Sequence, residues 1–238
     1  MFNKSQTRNL KIVLVFLFVI SLSGYVLSRY SVQEYKGRGF AAIDSEYVEP
    51  KLYHDFVNDE EIRHLLDIAE PLFTKSTVIN SKAGAGHLDE SVRQSETAWL
   101  PKNDPVVKSV IERASELTKI PFKNAEKIQL LRYTPGGFYS PHHDSSCGDG
   151  EVAFKFEKRG GQRVATVVMY LNDDFTGGET VFPNLNKTFK PIKNSALLFY
   201  SLEKNGNKCH PLSLHGGNPV ETGQKYIANV WLREREMK

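Results

Sequence analysis

The sequence predicts a mainly β fold with flanking α-helices, and three observations predict it. Two capped, amphipathic segments come early, before residue 120. After Pro121, short runs rich in β-branched and aromatic residues follow one another, separated by glycine, proline and asparagine. The one long apolar run sits at the amino end, apart from both. Together they describe helices followed by a β-rich core of jelly-roll type, with an N-terminal hydrophobic helix outside it.

The amino end comes first. Residues 12–27 carry no charge and follow Lys4, Arg8 and Lys11 with no acid among them. At 1.5 Å per residue the run spans about 24 Å, short for a bilayer unless Lys11 and Arg29 snorkel to the two interfaces. Two readings stay open: a signal-anchor, or a signal peptide cleaved near Ser23 or Ser28. The expected organisation is a cytoplasmic tail and anchor over 1–28, a polar stem over 29–50 and a folded domain over 51–238. That would make a single-pass type II protein of the endoplasmic reticulum or Golgi membrane with a lumenal domain. Cleavage would instead give a secreted protein.

The helices are next. Asn58-Asp-Glu-Glu61 reads as a capping box, with Ile62, Leu65, Leu66 and Ala69 at helical spacing and Pro71 near the end. A second helix is expected over 105–117. Asp104 would cap it, Pro105 opens it, and Val106, Val107, Val110, Ile111, Ala114 and Leu117 form its apolar face. Strands are expected over 127–133, 164–171, 180–182, 195–200 and 225–232. In the last, Lys225, Ile227, Asn229 and Trp231 share one face and Tyr226, Ala228, Val230 and Leu232 the other. Both faces are largely apolar, so both should be covered.

Composition removes several functions. With 40% hydrophobic and 25% charged residues the chain is globular rather than disordered. A net charge of +3 gives no basis for a nucleic-acid partner. Two cysteines exclude a disulfide scaffold and a four-thiolate zinc site. Gly84-Ala-Gly86 and Gly177-Gly178 lack the Lys-Ser/Thr and following helix of a phosphate loop.

The chemistry gathers at His142-His143-Asp144. In an extended segment His142 and Asp144 point to one face and His143 to the other. A second imidazole has two downstream candidates, His210 and His215, the latter opening a Gly216-Gly217-Asn218-Pro219 turn before the last strand. Two histidines and a carboxylate on a β framework make a facial triad with open positions suited to Fe(II). A structural zinc site would ask for a fourth, preferably thiolate, ligand, and neither cysteine stands at ligand spacing. Lys225 either reaches water at the strand's start or is buried and needs an anion, such as the far carboxylate of a metal-chelating dicarboxylate.

From about residue 55 onward the chain resembles the prolyl 4-hydroxylase family of Fe(II)/2-oxoglutarate dioxygenases. The matching stretches are Arg93-Gln94-Ser95, 133–144, Arg159 through Thr166, Met169 through Asn172, Gly177 through Pro183, Ser213-Leu214-His215 and Lys225 through Trp231. The resemblance implies a double-stranded β-helix with Fe(II) held by His142, Asp144 and His215. It also implies 2-oxoglutarate bound by Lys225 with Tyr133 and Thr180, and L-ascorbate as the rescuing reductant. Tyr139, Arg163 and Trp231 fall where the family contacts a proline-containing peptide or protein. The implied reaction is hydroxylation of peptidyl proline with release of succinate and CO2. The alternatives are a dioxygenase of the same core acting on another residue or a small molecule, and a silent module gripping proline-rich peptides.

Departures from the family pattern are Cys209-His210 before Ser213-Leu214-His215, Tyr226 after Lys225, Arg233 two residues beyond Trp231, and the segment 145–158. Because the resemblance brings the ligands to one ion, it also brings Cys147 and Cys209 to one end of the barrel, where two readings stay open: a disulfide that staples two mouth loops, or two unpaired thiols. Asn186-Lys187-Thr188 is a glycosylation sequon.

Overall fold

The structure is a computed structural model that describes residues 47–79, 86–148, 151–203 and 208–237. They belong to one compact unit, Asp44–Lys238. The expected anchor and nearly all of the expected stem lie outside the described residues. No helix among the described residues is long and apolar enough to cross a membrane.

Helix α1, Asp59–Ala69, starts because Asn58 and Glu61 each accept from the other's backbone N–H, at 2.8 and 3.0 Å, completing the capping box. Three acids in its first turn suit the positive end of the helix dipole. Helix α2, Pro105–Thr118, is capped by Asp104, whose Oδ1 accepts from the N–H groups of Val106 and Val107, both at 3.0 Å. Asp104 Oδ2 lies 2.9 Å from His64 Nε2, and Arg113 grips Glu61, so the caps also tie the helices together.

The strands are β1 Lys51–Tyr53, β2 Thr74–Lys75, β3 Val78–Ile79, β4 Gly86–His87, β5 Glu96–Trp99, β6 Gln129–Tyr133, β7 Tyr139–His142 and β8 Arg163–Tyr170. They continue with β9 Thr176–Gly177, β10 Thr180–Phe182, β11 Lys187–Phe189, β12 Ala196–Tyr200, β13 His215–Gly217, β14 Val220–Thr222 and β15 Lys225–Arg233. The major sheet has the order β1-β12-β8-β15-β6-β5-β2 and the minor sheet β11-β10-β13-β7, all antiparallel. Alternation along β15 divides two cores. Ala228, Val230 and Leu232 join Ile62, Leu65, Val107, Val110 and Ile111 in the layer under the helices. Ile227 joins Leu131, Tyr133, Tyr170, Phe182 and Phe199 between the two sheets. This is a jelly-roll with helices on one face, and burying both faces of β15 explains why both are largely apolar.

The structure differs from sequence expectation at several places. Strands β1, β2 and β5 come from the part read as helical, and they add to the major sheet as edge and near-edge strands. The residues read as a turn from His215 instead form β13, paired with β10 and β7. The departing segment 145–158 contains a third helix, α3, Glu151–Lys158. The expected stem runs to residue 50, yet Tyr47 already packs on the domain, donating to Tyr200 O at 3.0 Å and stacking on His210 with ring centres 4.4 Å apart.

Candidate active site

The minor sheet positions the histidines. In the β13–β7 pair His215 stands directly opposite His142, and a register shift after His215 sets Gly217 against Tyr139. A side chain at Gly216 would meet the Tyr139 carbonyl at 2.9 Å, so glycine there lets the two strands approach. Asp144 follows two residues beyond His142, and its Oδ1 lies 3.6 Å from His142 Nε2 while its Oδ2 lies 3.7 Å from His215 Nε2. The ligand atoms of His142, Asp144 and His215 all lie within 4.8 Å of one another.

Their protonation follows from their partners. His142 Nδ1 is 2.9 Å from Ser140 O, and His215 Nδ1 is 2.9 Å from Ser213 O. A carbonyl only accepts, so each Nδ1 carries the proton and each Nε2 presents a lone pair toward Asp144. Burial pushes the His215 imidazole down to about 4, against the opposing pull of Asp144. Burial alone would raise the Asp144 carboxyl, but the nearby His215, with Arg163 behind it, holds it well below the usual carboxylate range. Thr166 Oγ1 donates to Asp144 Oδ2 at 2.6 Å from β8 across the cavity. Two imidazoles and an oriented carboxylate are the donor set of a ferrous site with open positions.

Across the same cavity, of about 650 Å³, stands Lys225 at the start of β15. It is 2% exposed, so it does not reach water. Its Nζ donates to Gly178 O at 2.7 Å, and among the described residues no carboxylate lies within salt-bridge distance of it. Gly178 offers that carbonyl from a left-handed conformation, φ +68°. Burial lowers the ammonium to about 8, with only distant Glu179 opposing. Tyr133, opposite Lys225 in the β15–β6 pair, places its ring centre 5.2 Å from Nζ. Thr180, 6% exposed, accepts from Tyr170 OH at 2.8 Å and lines the cavity too.

Tyr139, Arg163 and Trp231 also line this cavity. The Tyr139 ring stacks on His142 with centres 3.6 Å apart, and the Arg93 guanidinium lies 4.6 Å over its centre. Arg163 lies 3.6 Å over the Trp231 ring and grips Glu126 through Nε and Nη2 at 2.6 and 3.0 Å. The Trp231 Nε1 donor, buried, has no partner. Trp99, exposed on β5, extends the wall with its ring centre 6.1 Å from that of Trp231.

Cys147 and Cys209 are joined in a disulfide, with Cα atoms 4.9 Å apart. His210, the other candidate imidazole, accepts at Nδ1 from Leu212 N and caps a short 3-10 turn, so it serves the backbone. Arg233, a departure from the family pattern beside Trp231, does not line the cavity. It is 1% exposed and donates to Glu126 and Gly161 O behind Arg163. Asn186 is exposed, in a left-handed conformation after a 3-10 turn. Sequence reasoning missed Thr166, Glu126 and Gly178; strand alternation along β8 would have turned Thr166 inward, while the other two had no local signal.

Residues 128–233 match the family described as the 2OG-Fe(II) oxygenase superfamily. A putative prolyl 4-hydroxylase of Acanthamoeba polyphaga mimivirus is 42% identical over 197 residues, covering 83% of this chain and 79% of that protein. Prolyl 4-hydroxylase 5 of Arabidopsis thaliana is 37% identical over 233 residues, covering 89% and 78%. The chain belongs to the prolyl 4-hydroxylase family. Among solved structures, the viral collagen prolyl hydroxylase of Paramecium Bursaria Chlorella virus-1 in its 2OG complex is similar, with a TM-score of 0.61 and 29% identity over 80% of this chain and 98% of that one. The family's description names Fe(II) and 2OG, and the cavity of this chain holds a His142, Asp144 and His215 cluster and a buried Lys225.

Proposed function

We propose that this chain hydroxylates prolyl residues of a peptide or protein, consuming dioxygen and 2-oxoglutarate and releasing succinate and CO2. The observation that carries the reading is the buried ammonium of Lys225, without a carboxylate partner among the described residues, facing the His142, Asp144 and His215 cluster in one cavity. A buried cation of this kind is costly unless an anion joins it, and a dicarboxylate chelating the metal would bring that anion.

Iron bound by the triad would supply dioxygen activation, with ascorbate as the reductant that keeps it ferrous. The protein's own residues do the rest. Ser140 O and Ser213 O fix the imidazole tautomers, and Thr166 fixes the carboxylate. Lys225 receives the distal carboxylate of 2-oxoglutarate, with the Tyr133 and Thr180 hydroxyls as companions on the same walls. Trp231 offers an aromatic surface to a proline ring, and Arg163, held rigid by Glu126, offers donors to peptide carbonyls. Tyr139, stacked on His142, joins the peptide side of the cavity to the metal side. A module that only gripped proline-rich peptides would gain nothing from a buried, unpaired ammonium.

The test is direct. Protein supplied with Fe(II), 2-oxoglutarate and a panel of proline-containing peptides should release succinate only when peptide is present. The modified peptide should gain one oxygen atom at proline, and His142→Ala should lose both signals. An oxygen gained at another residue, or on a small molecule alone, would overturn the prolyl assignment.

We further propose that the domain faces the lumen of the secretory pathway, anchored by residues 12–27. The charges before that run and a disulfide suited to an oxidising compartment support this. Expressed in a eukaryotic cell, the chain should resist protease in sealed microsomes and lose a glycan-sized mass with Asn186→Gln. Digestion of the domain in intact vesicles would refute it.

A further inference from the structure

His143, which points away from the triad, stands beside the disulfide. One of its ring nitrogens and the sulfurs of Cys147 and Cys209 all lie within 4.8 Å of one another. We propose that reducing Cys147–Cys209 opens a second metal site, made by His143, Cys147 and Cys209, that takes a thiophilic divalent ion such as zinc.

The dimensions suit the ion. Tetrahedral zinc, with Zn–S of about 2.3 Å and Zn–N of about 2.0 Å, holds its ligand atoms roughly 3.5–3.8 Å apart. Reaching that from separations within 4.8 Å needs side-chain adjustment and no rearrangement of the fold. Once the S–S bond is broken, the sulfurs relax outward toward the same spacing.

The imidazole keeps one nitrogen for a ligand. His143 Nδ1 lies 3.0 Å from Ser213 Oγ, while that hydroxyl lies 2.7 Å from His210 O and 3.1 Å from Ser201 O. A hydroxyl has one proton, and both of those carbonyls can only accept, so Ser213 Oγ donates to a carbonyl and accepts from His143 Nδ1–H. Nε2 is left with a free lone pair. This is the arrangement that the Ser140 and Ser213 carbonyls impose on His142 and His215, here produced by a side chain. Ser213 therefore orients one imidazole of each site, its hydroxyl serving His143 and its carbonyl serving His215.

The chemistry balances with a dithiol reductant. Its first thiolate attacks the exposed Cys147 sulfur, and Cys209 leaves as a thiolate. Its second thiol then closes the reductant's own disulfide and frees Cys147. Two electrons and two protons reach the protein, and ion binding returns the two thiol protons to solvent. Softness separates the two sites: two sulfurs and a nitrogen favour zinc, whereas the sulfur-free triad favours ferrous iron. The fourth position is open for water. The site stands whether or not the dioxygenase reading holds.

Cobalt(II) is the probe, added to the full chain either with its disulfide intact or after reduction by a phosphine that is then removed. The reduced protein should develop a thiolate-to-cobalt charge-transfer band that saturates at one ion per chain and is bleached by zinc. The disulfide form should show none, even with cobalt in the triad, because the triad contains no sulfur. His143→Ala should weaken cobalt binding by at least the ~10-fold that even an outer-shell partner is worth. Absence of the band in reduced protein would overturn the proposal. So would a band whose affinity His143→Ala leaves unchanged, since that is what two thiols alone, or a loosened chain, would give.

Discussion

Replacing Lys225 with methionine should move stability and cosubstrate binding in opposite directions. The ammonium is 2% exposed, donates only to Gly178 O, and its pKa falls from 10.5 to about 8 on burial. A lysine with a lowered folded pKa binds fewer protons folded than unfolded. The resulting penalty on the cosubstrate-free protein is therefore fully present below pH 8 and disappears as pH rises to 10.5. At 1.36 kcal/mol per unit the penalty is about 3 kcal/mol. Methionine removes it but leaves the Gly178 carbonyl without its donor, at a cost of about 1–3 kcal/mol. Lys225→Met should thus be as stable as the parent at neutral pH, or more stable by up to about 2 kcal/mol. The advantage should shrink as pH rises from 8 toward 10.5, where other groups titrate equally in both proteins and cancel. Binding should suffer in contrast. Losing one partner of a buried charge pair costs about 3–5 kcal/mol, a roughly 10²- to 10³-fold or greater loss of 2-oxoglutarate affinity. Thermal unfolding of both proteins across this pH range, with and without 2-oxoglutarate, reads both effects. A stability difference that does not change with pH, or a variant that 2-oxoglutarate still stabilises, would refute the reasoning.

Three other outcomes follow from the same geometry. Thr166→Val removes the donor to Asp144 Oδ2, so Fe(II) affinity should fall by about 10- to 100-fold while peptide affinity holds; titrating the ion against activity separates the two. Arg163→Lys keeps the charge but loses the two-pronged grip on Glu126 and the planar contact with Trp231, so KM for peptide should rise well before KM for 2-oxoglutarate does. His215, buried and lowered from 6.5 to about 4, binds fewer protons folded than unfolded in that window, so the metal-free protein should lose stability as pH falls from 6.5 toward 4. His215→Gln should flatten that loss, and denaturant midpoints measured across the window would show it.

Much of this was legible because it is local. The capping box at Asn58, the Asp104-Pro105 helix start and the alternation of β15 each declare themselves within a few residues, and the structure keeps them all. That alternation also puts Lys225 and Trp231 on one face without knowledge of any partner strand. Choosing His215 over His210 was not local. Both histidines precede apolar segments and glycine or proline, and only the pairing of β13 with β7 sets one opposite His142 while the other stacks on Tyr47. Glu126 was invisible for a related reason. It is an acid just before a strand, and its meaning comes from Arg163 and Arg233, which arrive from β8 and β15. The helix at Glu151–Lys158 was obscured because its segment was compared with a family loop rather than read for its own apolar spacing at Val152 and Phe156.

The placement of charge explains why the cavity is built from two sheets rather than one. Asp144 and Lys225 are both buried, and each would be costly alone. Had they been neighbours they would have neutralised one another and left nothing for a ligand. Instead Asp144 extends from the end of β7 toward two imidazoles, while Lys225 opens β15 on the opposite wall and finds only a carbonyl. The fold thus keeps a buried anion and a buried cation apart, across a gap that a metal ion and a dicarboxylate would fill together. Filling it should relieve both costs at once, so iron and 2-oxoglutarate should stabilise the protein more in combination than the sum of their separate effects. Unfolding measured with each alone and with both would reveal the coupling, and strictly additive shifts would mean that the two walls act independently.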